Sequence, residues 1–183
     1  MIASIFQKLV PGGLLYVRIK HDWLSVRDVK TGHCYEDVPV AALAPGDGTD
    51  ILAVGFAASN QEQGNSGVKL INGFDDPHTL ISHAGVAEQT LRYFMDSVVQ
   101  KGLLQPPLKV ILHPTGFARG RFPGNAARAL QQLALRAGAA EAYVWVGIEP
   151  MKSEIIDGDF PARGEWLTEP PGWVSKAGNT RGI

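Results

Sequence analysis

The sequence predicts one α/β domain on a mixed five-stranded sheet: a three-strand antiparallel meander, parallel crossover strands behind it, and helices on both faces. Three observations predict it. Residues 14 to 43 alternate with period two between short turns, as half-buried strands do. From residue 86 onward the apolar positions change to helical spacing, and two continuous apolar runs of strand length, 108–112 and 141–148, accompany the helices. The length of 183 residues suits one domain, whose core would take in about two thirds of the unfolded surface.

Residues 1–13 form a separate N-terminal segment. Ile2, Ile5, Phe6 and Leu9 fall at helical spacing before the breaker Pro11-Gly12-Gly13. This is the pattern of a short amphipathic helix, and those four side chains are the candidates for a weak membrane-surface contact. With one lysine and so few turns its affinity is low, so a turn packed on the domain or frayed is the simpler reading.

The meander follows. Leu14 to Ile19 alternates and meets the turn-like Lys20-His21-Asp22; Trp23 to Val29 alternates again; Thr31-Gly32 turns the chain into a third run, His33 to Leu43. Ile51 to Ala57 is a further apolar run, Gln61 to Gly67 a polar loop, and Val68 to Ile71 a small extra strand. From Val86, the positions Leu91, Phe94, Met95, Val98 and Val99 make one helical face ending near Gly102, with Pro106-Pro107 as the stop. LKVIL at 108–112 is a buried strand. Asn125 then caps a helix that turns Leu130, Leu133, Ala134 and Ala137 inward and closes at Gly138. EAYVWVGI at 141–148 is a second buried strand, so strand, helix and strand make a parallel crossover unit. A meander followed by such strands is the ribonuclease-H-like layout. Residues 159–183, rich in proline and glycine, read as an extended tail whose Trp166 and Trp173 need cover.

Composition narrows the function classes. Lys plus Arg number 17 against 18 Asp plus Glu, so no net charge draws the chain to nucleic acid, and no nucleic-acid partner is expected. No stretch is long and apolar enough for a span, and no secretory leader is legible. The lone Cys34 fits a reducing compartment. The expectation is a cytoplasmic protein, with inner-membrane association only through the N-terminal segment. The five histidines show no paired ligand spacing, so no metal site is expected. The phosphate-cradling GxxxxGK[ST], GxGxxG and GxSxG are all missing, and no cofactor is expected. Asp75-Asp76-Pro77 reads as a turn. The loop His113-Pro114-Thr115-Gly116 leaves a buried strand at the carboxyl edge of the sheet, where ligands gather in open α/β sheets. Arg119 and Arg121, between glycines, have the fork geometry for a phosphate, though a solvated loop explains them as well.

The ordered segments resemble the N-terminal half of MreB, the rod-shape-determining bacterial actin. VPVAAL resembles that family's EPSVVAI, and ILAVG at 51–55 its AVG strand. LKVILHPTG resembles RVLVCVPVG, and NAARALQQLALRAGA resembles VERRAIRESAQGAGA. Ile148-Glu149-Pro150-Met151 resembles the EEPMAAAIGAG turn into a helix. The likeness covers about residues 14 to 158 and implies the first domain of the two-domain actin and sugar-kinase architecture. It places a small subdomain at about 55–82, with the second domain not represented.

The departures bear on chemistry. The family's strand runs into D-x-G-T, whose aspartate holds magnesium through water. Here the segment reads Arg18-Ile19-Lys20-His21-Asp22, a guanidinium for the carboxylate and a lysine for the glycine. The family's water-orienting glutamate falls at Ala126, and the second phosphate loop, which would lie near Lys176, lacks its aspartate. No catalytic residue and no ATP hydrolysis are therefore expected. What the resemblance leaves is a non-catalytic interaction protein, touching actin-like filaments or envelope machinery, or associating with itself. The alternative is a small phosphate- or nucleotide-binding protein, or an enzyme, using the loop at 113–121 with His113, Thr115 and Arg119. Its anion contacts would be Arg18, Lys20, Arg119 and Arg121.

Overall fold

The computed structural model describes residues 13–46, 50–64, 66–99, 107–168, 170–171 and 174–175. Ile2, Ile5, Phe6, Leu9, Trp173 and Lys176 lie outside the described residues. The meander forms as the alternation requires. Strand β1 (Leu14–Lys20) pairs antiparallel with β2 (Trp23–Asp28), and β2 pairs antiparallel with β3 (Cys34–Asp37).

The run from His33 to Leu43 is not one strand. Pro39 lacks the N–H a ladder needs, and the Asp37 carboxylate takes the Val38 N–H at 2.7 Å. The chain therefore leaves the main sheet and starts β4 (Val40–Leu43) in a second, three-stranded sheet. There β4 lies between β5 (Ile51–Val54) and β6 (Lys69–Asn72), both antiparallel to it. Helix α1 (Phe56–Gly64) follows β5, so Gln61 to Gly64, expected as a loop, closes a helix instead.

The crossover unit supplies the remainder. Helix α2 (Ala84–Val98) precedes β7 (Lys109–Pro114); helix α3 (Gly124–Arg136) joins β7 to β8 (Glu141–Gly147). Both strands run parallel to β1 in the order β8-β7-β1-β2-β3. Asn125 is not the cap of α3: Pro123 holds that place, and its ring fixes an extended-to-helix entry without a side-chain bond. Past β8 come the short helix α4 (Lys152–Asp157) and β9 (Asp159–Phe160). Then β10 (Gly164–Thr168) adds an antiparallel sixth strand beside β8, and β11 (Val174–Ser175) pairs with β9. The residues expected as an extended tail are thus partly built into the sheet.

Two cores result. Leu15, Val17, Ile19, Leu24, Val26, Val110, Leu112 and Val144 face α2 and α3, whose Leu91, Phe94, Leu130 and Leu133 close that side. The opposite face gathers Tyr16, Ile111, Trp145 and Trp166 under Ile155 of α4 and Phe160 of β9. Helices therefore lie on both faces, α4 being the short one.

Candidate functional site

The carboxyl ends of β1, β7 and β8 lie side by side and carry the polar side chains. Alternation sends Tyr16 and Arg18 of β1 to the second face. Register sets Arg18 opposite His113 on one side and Ser25 on the other, with Ser25 opposite Glu36. At the end of β8, Gly147 has φ of 133°, and a Cβ there would come 2.4 Å from the Gly164 Cα. Only glycine permits this exit, which brings Glu149 back over the edge.

Arg18 joins three elements. Its Nη1 donates to both carboxylate oxygens of Glu149 at 3.3 Å, and its Nη2 donates to Ser25 Oγ at 3.4 Å. The same Nη2 lies 3.6 Å from Glu36 Oε2. Glu149 and Glu36 are each about half exposed. Contacts this long and this wet contribute at most about 1 kcal/mol apiece, so they orient Arg18 more than they stabilise the fold.

Beneath them lies a neutral pair. His113 is 2% exposed, and its Nε2 sits 3.0 Å from the Gly147 carbonyl, which can only accept. Nε2 therefore carries the ring proton, and Nδ1 accepts from the Tyr16 hydroxyl at 2.6 Å. Burial holds His113 below its ordinary 6.5, against the opposing pull of the Gly147 bond and Glu149. Burial also pushes the Tyr16 phenol well above its usual range, and Glu149 adds to the rise.

The other expected anion contacts are dispersed. Lys20 pairs with Asp22 at 3.5 Å. Arg119 lies 3.8 Å from Glu165 of β10, and the same carboxylate accepts the Gly120 N–H at 2.5 Å. Arg121 is exposed, with its N–H on the Ala118 carbonyl. Thr115 donates its hydroxyl to the Ile19 carbonyl at 3.2 Å, fastening the end of β7 to β1. Ala126 is buried in the first turn of α3 among the first core. Sequence reading missed Tyr16, Glu36 and the pairing of Arg18 with Glu149. The alternation of β1 was the available signal for Tyr16; nothing local marks partners that are far apart in the chain.

No family model matches this sequence, and no curated protein matches it. Solved structures do. MreB5 of Spiroplasma citri bound to ADP superposes with a TM-score of 0.55 at 14% identity, over 73% of this chain and 38% of that one. Its AMPPNP-bound form gives the same coverage at 12% identity. A non-polymerising mutant of MamK bound to AMPPNP gives a TM-score of 0.58 at 15% identity, over 86% of this chain and 55% of that one.

The fold is actin-like.

At such identities the likeness is one of architecture, and this chain spans well under two thirds of either neighbour's length. The mixed sheet with its meander, crossover strands and flanking helices is the arrangement the sequence predicts, with β10 added at one edge.

Proposed function

We propose that this chain is a non-catalytic actin-like domain that works as an interaction protein, on actin-like filaments, on cell-shape or envelope machinery, or on further copies of itself. The observation that carries the reading is Arg18. A guanidinium has no lone pair to offer a metal ion, and here it stands at the end of the first strand, facing Glu149 and Glu36. The residues at this edge therefore do not suit a nucleotide with magnesium, and no chemical step is assigned to them. Ala126 supports the same reading, since a buried methyl can neither orient nor deprotonate water. Exposed apolar side chains support the interaction half. Leu52, Phe56 and Tyr93 are 46% to 63% exposed, and Tyr93 lines a cleft of about 260 Å³ between β5 and α2 with Ile51 and Val54.

Calorimetric titration with ATP and magnesium, run beside a phosphate-release assay, tests the catalytic half. No heat of binding and no phosphate release are expected. Turnover above the protein-free control would sink the reading, and binding without turnover would favour the nucleotide-binding alternative. Sedimentation velocity at rising concentration tests self-association directly.

A further inference from the structure

Beside Glu149 the second face of the sheet carries more positive charge than it uses. Tyr16, Arg27, Glu149, Lys152 and Ile155 line a small cavity of about 20 Å³, room for one water. The charges around it do not balance. Glu149 is turned to Arg18. Arg27 and Lys152 make no ion pair among the described residues, and the Lys152 ammonium reaches only the Lys30 carbonyl at 3.4 Å. The nearby Asp28 carboxylate is engaged with the N–H groups of Lys30 and Thr31. Glu36 faces Arg18 from the far side. Three cations, Arg18, Arg27 and Lys152, thus meet two carboxylates, Glu149 and Glu36, and both of these are on Arg18.

We propose that this patch is a docking surface for an acidic peptide segment of a partner protein, with Glu149 as the internal stand-in that a partner carboxylate displaces. The inference rests on the interaction reading above and names the chemistry of the partner.

The Arg18–Glu149 contact has the character of a stand-in. A good charge-assisted bond is about 2.7–2.9 Å long, whereas these are 3.3 Å, and Glu149 is 47% exposed. Exchanging it for another carboxylate costs little. A tethered glutamate nevertheless acts at an effective concentration of about millimolar, so a lone free carboxylate competes poorly. A segment with two carboxylates competes well, because the second meets Arg27 and Lys152, which have no carboxylate partner to give up among the described residues and only the long Lys152–Lys30 carbonyl contact to lose. Flanking Glu149, Ile148 is 48% and Met151 65% exposed. An apolar side chain between the carboxylates would cover them, and arginine and methionine are enriched at such contacts.

The test uses the full chain and a short fluorescein-labelled peptide of alternating glutamate and leucine, read by anisotropy, with a glutamine-for-glutamate peptide as control. Binding of the acidic peptide is expected, weakened about tenfold or more in Arg27→Ala/Lys152→Ala and strengthened several-fold in Glu149→Gln. Circular dichroism confirms that the variants fold. Equal binding of the glutamine peptide, or no gain in Glu149→Gln, overturns the proposal. Binding of inorganic phosphate with the same dependence on Arg27 and Lys152, without peptide binding, makes this a small-anion site and overturns it too. Self-association abolished by the double variant, again without peptide binding, assigns the surface to a second copy and equally overturns it. In each case a blank nucleotide titration leaves the non-catalytic reading standing, so the two failures are distinguishable.

Discussion

In the folded chain both ring nitrogens of His113 are engaged, one by the Tyr16 hydroxyl and one by the Gly147 carbonyl. Unfolded, the ring takes up a proton near 6.5; folded, burial keeps it neutral to lower pH. The unfolded state thus binds the extra proton first. Stability from this group is complete above pH 6.5 and falls as pH drops from there toward the folded value, at up to about 1.4 kcal/mol per pH unit. Urea unfolding above and below pH 6.5 measures the slope, which should be smaller in His113→Gln; an unchanged slope would show that His113 is not its source. Thr90 is a second residue with a cost. It is fully buried in α2, and its hydroxyl has no partner among the described residues. Thr90→Val should raise stability by about 1 kcal/mol by removing an unsatisfied group at nearly constant volume, and a lowered urea midpoint would contradict this. Neither residue's role was legible in the sequence. His113 could be placed at the end of a buried strand, but its partners come from β1 and β8, 97 and 34 positions away.

At the scale of elements, Asp37 governs how the two sheets join. Its carboxylate sits at the end of β3 and accepts the Phe56 N–H at 3.0 and 3.1 Å, at the start of α1. A negative charge there suits both the orphan N–H groups and the helix dipole. Gly55 makes the approach possible: its φ is +77°, and a Cβ would fall 2.1 Å from Asp37 Oδ2. Asp37→Ala should cost about 1–2 kcal/mol and speed hydrogen exchange in β5 and α1 more than in β7. Uniform exchange across both sheets would argue against a local joint. Trp166 of β10 packs against Trp145 and Phe160 with ring centroids 5.2 and 4.5 Å apart. Trp166→Ala should cost about 3–5 kcal/mol, seen as an early thermal midpoint. The meander and both long helices were legible because their periods are strong and local. The split at Pro39 is masked in the sequence, since apolar residues continue on both sides of it. Strand β10 was hidden among prolines and glycines, because what makes it a strand is the open edge of β8 and not its own composition.

For the whole molecule, the proposed function predicts silence toward nucleotides. A ligand present at a hundred times its dissociation constant adds about 2.7 kcal/mol to stability. ATP or ADP with magnesium at millimolar concentration should leave the melting temperature within the scatter of repeats, and a clear upward shift would contradict the proposal. The architecture was legible as a series: period two, then period 3.6, then two apolar strands. The candidate site was legible only as single residues, Arg18 and His113, because Arg18 and Glu149 are 131 positions apart and meet only once the parallel register is set. Because β10 comes late in the chain, the sixth strand is also the last part of the main sheet to be made. From β1 to β8 the parallel ladder can assemble as it leaves the ribosome, but the outer edge of β8 and one side of Trp145 await residues up to Thr168. At about 5–20 residues per second, synthesis from Gly147 to Thr168 takes about one to four seconds. During that interval a nascent chain presents an unpaired hydrophobic edge, the kind of surface on which neighbouring chains stick.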